Sequence, residues 1–285
     1  MPADPNPTVR RRRLGGLLRR LREAAGLTLE EAAAHLECHK ATVSRLELGR
    51  SGVRTRDLRQ LLVLYGVTDE ERIEPYLKMA KQGRESGWWE RHADGLRPAY
   101  TDFIALEAEA AEVRNYQPLL IPGLLQTPAY ARAVIGAHPA VVTEEELERR
   151  VEVRLSRQAL LTDGRGLRFW AVVGEGALRS AVGGRNVMRE QLEHLLSAAR
   201  LPNVDVQVLP CDVGEHPGGS GPFVILTFPL PEESHIVCEE GLLTSVYLDS
   251  VEEVKSYASA FDALRAAALG PRKSQDMIAE LLTDL

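Results

Sequence analysis

The chain has 285 residues, 44% of them hydrophobic and 27% charged, with a formal net charge of −6. At roughly 150 residues per domain that length predicts two domains, and its longest apolar runs fall far short of the ~20 residues a membrane helix needs. Residues 1–60 hold 13 Lys and Arg against 7 Asp and Glu, net +6, while the remainder nets −12, so a polyanionic partner is excluded from the acidic part and admitted at the basic end.

Residues 1–9, with three prolines, read as a disordered lead-in. The run Arg10 to Arg13 follows, open to two readings: an arm laid on nucleic acid, or the solvated start of a helix. Leu14, Leu17, Leu18, Leu21 and Ala25 then repeat at helical spacing, and Gly26 closes that first helix. Thr28 is an N-cap for a second helix, and Glu31 three residues on completes a capping box. Leu29, Ala32, Ala33 and Leu36 make its apolar stripe. A third helix from about Lys40 buries Val43 and Leu46 and turns Lys40, Ala41, Ser44 and Arg45 outward. Basic groups among small side chains suit the major groove, where Arg and Lys hydrogen-bond guanine edges. The same face is equally a solvated one, the commonest fate of exposed Lys and Arg.

This stretch, ending in Ser44-Arg45-Leu46-Glu47-Leu48-Gly49, resembles the Xre or phage-repressor class of helix-turn-helix proteins. The resemblance implies a recognition helix with Lys40, Ala41, Ser44 and Arg45 at base-reading positions. It also implies Thr28 and Thr42 near phosphates, and an internal ion pair of Arg22 with Glu47. Two positions depart from the pattern. Glu37 stands where the turn usually has Gly, which demands a left-handed residue or a different turn. His39 stands where Ser or Thr usually caps the recognition helix.

The loop after Gly49 carries Arg50, Arg54 and Arg56, expected as phosphate clamps. Leu58, Leu61, Leu62 and Tyr65 predict a fourth helix ended by Gly66. Thr68 to Glu71 predicts a second capping box opening a fifth helix that Pro75 should kink or divide. An all-α, five-helix domain over residues 10–81 results. Residues 82–98 read as a linker whose Trp88-Trp89 pair either stacks on a ligand or anchors the segment by burial. Residues 99–285 form the second domain, opened by an acidic helix from Ala99 to Arg114.

From Tyr116 to Ala131 the sequence YQPLLIPGLLQTPAYA predicts a short apolar strand or extended segment, a Pro-Gly turn, and a helix with Thr127 as N-cap and Pro128 at its first position. The phrase resembles the C-terminal domain behind the helix-turn-helix of actinobacterial WhiJ-like or Scr1-like regulators. Thr143 caps a helix to about Leu161. Gly174 to Leu178 leads into a helix, and further helices are expected at Val187–Ala199, Ser250–Leu269 and Ser274–Leu282. Strands are expected at Leu167–Val173, Val204–Leu209, Pro222–Phe228, His235–Glu239 and Leu243–Leu248. Without strict βαβ alternation, an α+β domain with a mainly antiparallel sheet follows.

Catalytic signatures are weak. Gly174-x-Gly176 lacks the third glycine of a dinucleotide loop, and Gly218 to Gly221 has neither a nucleophile elbow nor a P-loop lysine, leaving a hairpin or a lid over a pocket. His35, Cys38 and His39, or Cys211, Asp212, Glu215 and His216, lack the ligand spacing of a metal site. No catalytic residue, metal or cofactor is expected. Cys38, Cys211 and Cys238 have no paired spacing, which fits a reducing cytoplasm. The expectation is a homodimeric regulator on double-stranded DNA, with a palindromic operator and a C-terminal domain that senses a small-molecule effector or a small protein partner. Alternatives are an antitoxin-like interaction module and, less favoured, a DNA-tethered enzyme.

Overall fold

Leu14, Leu17 and Leu18 give α1 (Val9–Ala24) one apolar side, and in the computed structural model four further helices close around it. These are α2 (Leu29–His35), α3 (Lys40–Glu47), α4 (Thr55–Leu64) and α5 (Glu70–Gln82). The structure describes residues 9–82, 96–139, 143–229, 235–242 and 244–285, and they fall into two units that divide near residue 90. The expected lead-in and the Trp88-Trp89 linker lie outside the described residues, apart from the ends that join helices. In the first unit Val43 and Leu46 of α3, Leu58, Leu61 and Leu62 of α4, and Ile73 and Tyr76 of α5 fill the core against α1. Gly15 lets α1 and α3 meet at backbone distance, since a Cβ there would sit 2.5 Å from the carbonyl oxygens of Leu46 and Glu47.

One expectation is corrected here and two with alternatives are narrowed. All four arginines of the Arg10–Arg13 run lie within α1, and Arg13 is only 5% exposed, because position 13 falls beside Leu14 and Leu17 on the inward side; the run is no free arm. The cap of α5 is Asp69, whose Oδ1 accepts from the Glu71 N–H at 3.0 Å, not Thr68. Pro75 lies inside α5 without dividing it, because the hydrogen bond it forgoes belongs to the helix's opening turns and the apolar side of Ile73, Tyr76 and Leu77 holds the rest to the core.

The second unit begins with α6 (Pro98–Glu107) and β1 (Glu112–Gln117), then α7 (Pro128–Gly136), α8 (Glu144–Ser156), β2 (Arg168–Gly174), α9 (Glu175–Arg179), α10 (Arg185–Ala198) and β3 (Val204–Leu209). It ends with β4 (Phe223–Thr227), β5 (His235–Glu240), β6 (Ser245–Leu248), α11 (Val251–Ala267) and α12 (Pro271–Thr283). The helix expected to reach Arg114 stops at Glu107. Val113 and Arg114 belong instead to β1, which pairs on both sides and so satisfies its backbone in the middle of the sheet.

The six strands form one mixed sheet in the order β3-β2-β1-β4-β5-β6. β1, β2 and β3 run parallel with helical crossovers, and the β1–β4, β4–β5 and β5–β6 pairings are antiparallel. The domain is α+β and mostly antiparallel, yet its first half is a βαβαβ unit that the irregular helix lengths concealed. One sheet face, carrying Tyr116, Val172, Ile225 and Val237, packs on Val254, Phe261 and Leu264 of α11. Asn115, Val224 and Cys238 are directly paired across β1, β4 and β5, and strand alternation turns them to the opposite face.

The segment before α7 is held by buried amides. Thr127 caps α7, accepting from the Tyr130 N–H at 3.3 Å, while its own N–H donates to Gln191 Oε1 at 2.8 Å and Gln191 Nε2 donates to the Leu125 carbonyl at 2.7 Å. Close by, Arg157 in the 3-10 turn after α8 grips Glu107 through Nε at 2.7 Å and Nη2 at 2.8 Å, and donates to the Tyr100 hydroxyl at 2.7 Å. Burial alone would lower the Arg157 pKa, but the Glu107 charge outweighs it and the guanidinium is held more firmly protonated than usual.

The glycine motifs have structural roles. A Cβ on Gly174 would stand 2.5 Å from the Pro118 carbonyl oxygen, and one on Gly218 would stand 2.5 Å from the Tyr116 ring. Residues Pro217–Ser220 form a 3-10 turn, and the strands on either side do not pair as a hairpin.

Candidate nucleic-acid interface

Thr28 opens α2 through a reciprocal cap: its Oγ1 accepts from the Glu31 N–H at 3.2 Å, and its own N–H and hydroxyl donate to Glu31 Oε2 at 2.7 and 2.8 Å. The Thr28 hydroxyl proton is therefore committed to Glu31. The turn to α3 uses Glu37 at φ 52. The Glu37 N–H donates to the Ala34 carbonyl at 3.1 Å and the Cys38 N–H to the Ala33 carbonyl at 2.9 Å, a Schellman termination. Helices α1, α3 and α4 end with the same pair of bonds around Gly26, Gly49 and Gly66, all at positive φ. Glu37 alone fills this position with a side chain, and the turn keeps its shape.

Arg22 of α1 and Glu47 of α3 form a bidentate pair, Nε to Oε1 at 2.7 Å and Nη2 to Oε2 at 3.0 Å, while Arg22 Nη1 donates to the Leu27 carbonyl at 2.7 Å. The side chains are 9% and 6% exposed, so the pair fixes α3 against α1 and the loop before α2. Acceptance by Glu47 raises the Arg22 pKa further.

With Val43, Leu46 and Glu47 buried, the rest of α3 is directed outward: Lys40, Ala41 and Arg45 are exposed, Thr42 and Ser44 half-buried. Lys40 pairs with Glu30 of α2, both side chains more than half exposed, and Arg45 Nη2 lies 3.4 Å from Thr42 Oγ1. Such contacts exchange readily with water or another anion. The positive dipole end of α3 has no capping side chain at His39, although its Thr42 N–H turns back to the His39 carbonyl at 2.7 Å. Arg50, Arg54 and Arg56 are exposed just beyond, Arg56 with Asp57 Oδ1 at 3.1 Å. Leu48, 47% exposed, extends this face one turn past Ser44. The sequence reading missed it, although the i+4 step from Ser44 signals it.

Two members of the second candidate metal set, Cys211 through its backbone and His216 through its ring, have other partners. Glu175 Oε2 accepts the Cys211 N–H at 2.9 Å, and His216 Nδ1 accepts the Gly218 N–H at 3.1 Å. Among the described residues no three His, Cys, Asp or Glu side chains are grouped to hold a metal, and no helix is long and apolar enough to cross a membrane.

Comparison with known families agrees with the division of the chain. A family model described as Helix-turn-helix domain matches residues 13–74, spanning α1 to α4 and the start of α5. A second, described as Domain of unknown function (DUF5753), matches residues 100–280, more than half of the chain. No curated protein and no solved structure matches it.

Proposed function

The chain belongs to the family described as Domain of unknown function (DUF5753), and from that membership, with a helix-turn-helix domain preceding it, we propose that the protein is a sequence-specific transcription regulator. The observation that carries this reading is the outward face of α3, with Lys40, Ala41, Ser44 and Arg45 on a helix locked from behind by Arg22 and Glu47. In the Xre-class arrangement these four side chains meet base edges in the major groove. Thr42, Arg50, Arg54 and Arg56 meet phosphates, and Thr28 joins them only by releasing Glu31. The protein works in the cytoplasm as a homodimer on a palindromic operator, half-sites ~34 Å apart. The C-terminal half resembles WhiJ-like and Scr1-like regulators of actinobacteria and serves as the sensing half.

On this reading the chain carries out no reaction, and steady consumption of a small molecule by the purified protein contradicts it. The test of the reader is a pair of substitutions. Arg45→Ala should weaken the preferred duplex by about 1–3 kcal/mol and relax base choice at one position, whereas Arg50→Ala should weaken all duplexes alike and flatten the salt dependence. Equal binding by both variants and wild type ends the assignment.

One observation favours a small protein as a second partner of this half, beside any effector it senses. β6 ends the strand order, and Val246 on it is 45% exposed, with Leu242 and Val251 at 61% and 42% on either side. An open strand edge is able to add a strand from another chain. Val246→Lys should then abolish a stoichiometric complex with that partner while leaving DNA binding unchanged.

A further inference from the structure

On the sheet face turned away from α11, a cavity of about 300 Å³ opens between β1, β4 and β5 below and α6, α7 and α8 above. Phe103, Ile121, Val134 and Ile135 give it apolar walls, and four arginines, Arg97, Arg150, Arg154 and Arg157, reach it. Three have carboxylate partners: Arg97 with Glu240, Arg150 with Glu146 and Arg157 with Glu107. Arg154 has none among the described residues. Half-buried, it donates through Nη1 to Gln126 Oε1 at 3.0 Å, and its Nε is buried without a hydrogen-bond partner. In the same cavity Asn115, at the centre of the sheet and 7% exposed, has a buried Oδ1 that likewise has no partner.

A half-buried guanidinium without a counter-charge and with its Nε unpaired, and a buried amide oxygen without a hydrogen bond, are both costly unless something else completes them. Their placement in one apolar cavity indicates what that is. We infer that the cavity binds a small organic carboxylate. Its anionic oxygen accepts from Arg154, a polar group on it pairs with the Asn115 amide, and its hydrocarbon body fills the space beside Phe103 and Ile135. A single unanswered positive charge balances one negative charge, which selects a carboxylate over a phosphate dianion. This rests on reading the C-terminal half as the sensing half, and it names the class of effector sensed.

The test is calorimetry on the full chain with octanoate, hydrocinnamate and phloretate, each beside its primary amide. At least one acid should bind, its uncharged amide at least about 10-fold more weakly, since charge-assisted hydrogen bonds are roughly twice as strong as neutral ones. Arg154→Gln should lose the same about 10-fold while Arg154→Lys retains part of it. Without any ligand Arg154→Gln should melt no lower than wild type, because a charge lacking its counter-ion has been removed. The acid-against-amide contrast needs no variant, so it stands even if a substitution disturbs folding. Binding of no acid, or of acids and amides alike, overturns the inference and leaves DNA recognition standing. An acid that binds without changing affinity for the preferred duplex keeps the cavity assignment and overturns the sensing reading alone.

Discussion

Each unit holds one arginine closed in a bidentate pair, and the two differ in what the neighbouring arginines do. In the helical unit Arg22 grips Glu47 at 2.7 and 3.0 Å, and the arginines around that clamp, Arg45, Arg50, Arg54 and Arg56, are exposed. In the larger unit Arg157 grips Glu107 at 2.7 and 2.8 Å, and the neighbouring Arg150 and Arg154 line a cavity. The same bond thus fastens a scaffold in both places. Exposed charge beside the first suits a polyanion reached from solvent; enclosed charge beside the second suits a single small anion.

The largest expected effects break one clamp and spare the other. Arg157→Ala leaves the Glu107 carboxylate buried and unanswered, and should destabilise the larger unit by about 3–5 kcal/mol in urea unfolding followed by sheet signals. Arg22→Ala should do the same to the helical unit, at about 3 kcal/mol since its pair keeps some solvent contact, and abolish DNA binding through loss of structure. A single transition shifted equally by both substitutions would mean that the units do not unfold separately.

Smaller changes sharpen the picture of the helical unit. Thr28→Ala removes the hydroxyl half of the α2 cap, keeping the backbone N–H that donates to Glu31, and should cost about 1 kcal/mol. Glu37→Gly should raise stability by about 1 kcal/mol, because glycine occupies the left-handed region without the penalty a side chain meets there; a loss of stability would show that Glu37 earns its place by a contact. The smallest effect belongs to the larger unit. Burial lowers the His194 pKa below its ordinary 6.5, so the unfolded chain takes up a proton before the folded one does. Stability contributed by neutral His194 is complete above that value and falls as pH drops from about 6.5 toward the lowered folded value. His194→Gln should flatten this slope in thermal melts between pH 7 and 5.

Local chemistry was legible in the sequence and long-range pairing was not. The Thr28 and Thr127 caps and the stripes of α1 to α4 are all set by neighbours within a turn or two, and Glu37, left open between a left-handed residue and another turn, takes the first. What escaped depends on partners far along the chain. Nothing near Glu107 announces Arg157, so α6 read only as part of an acidic helix. The run to Arg114 read as helix because β1 is defined by strands β2 and β4. The parallel pairing of β1, β2 and β3 was hidden behind uneven helices, and the cavity with Arg154 and Asn115 exists only once those strands are assembled. Arg45 and its neighbours were identified by resemblance together with periodicity, and the structure adds that their side of α3 is open.

The most direct test of the central claim, that the outward face of α3 reads bases, is selection of bound sites from random duplex DNA by the full chain and by its Arg45→Ala variant. The account predicts a two-fold symmetric site with half-sites about one helical turn apart, and loss of preference at one position of each half-site in the variant. Enrichment of no sequence by the wild-type chain, or of an identical site by the variant, would contradict it.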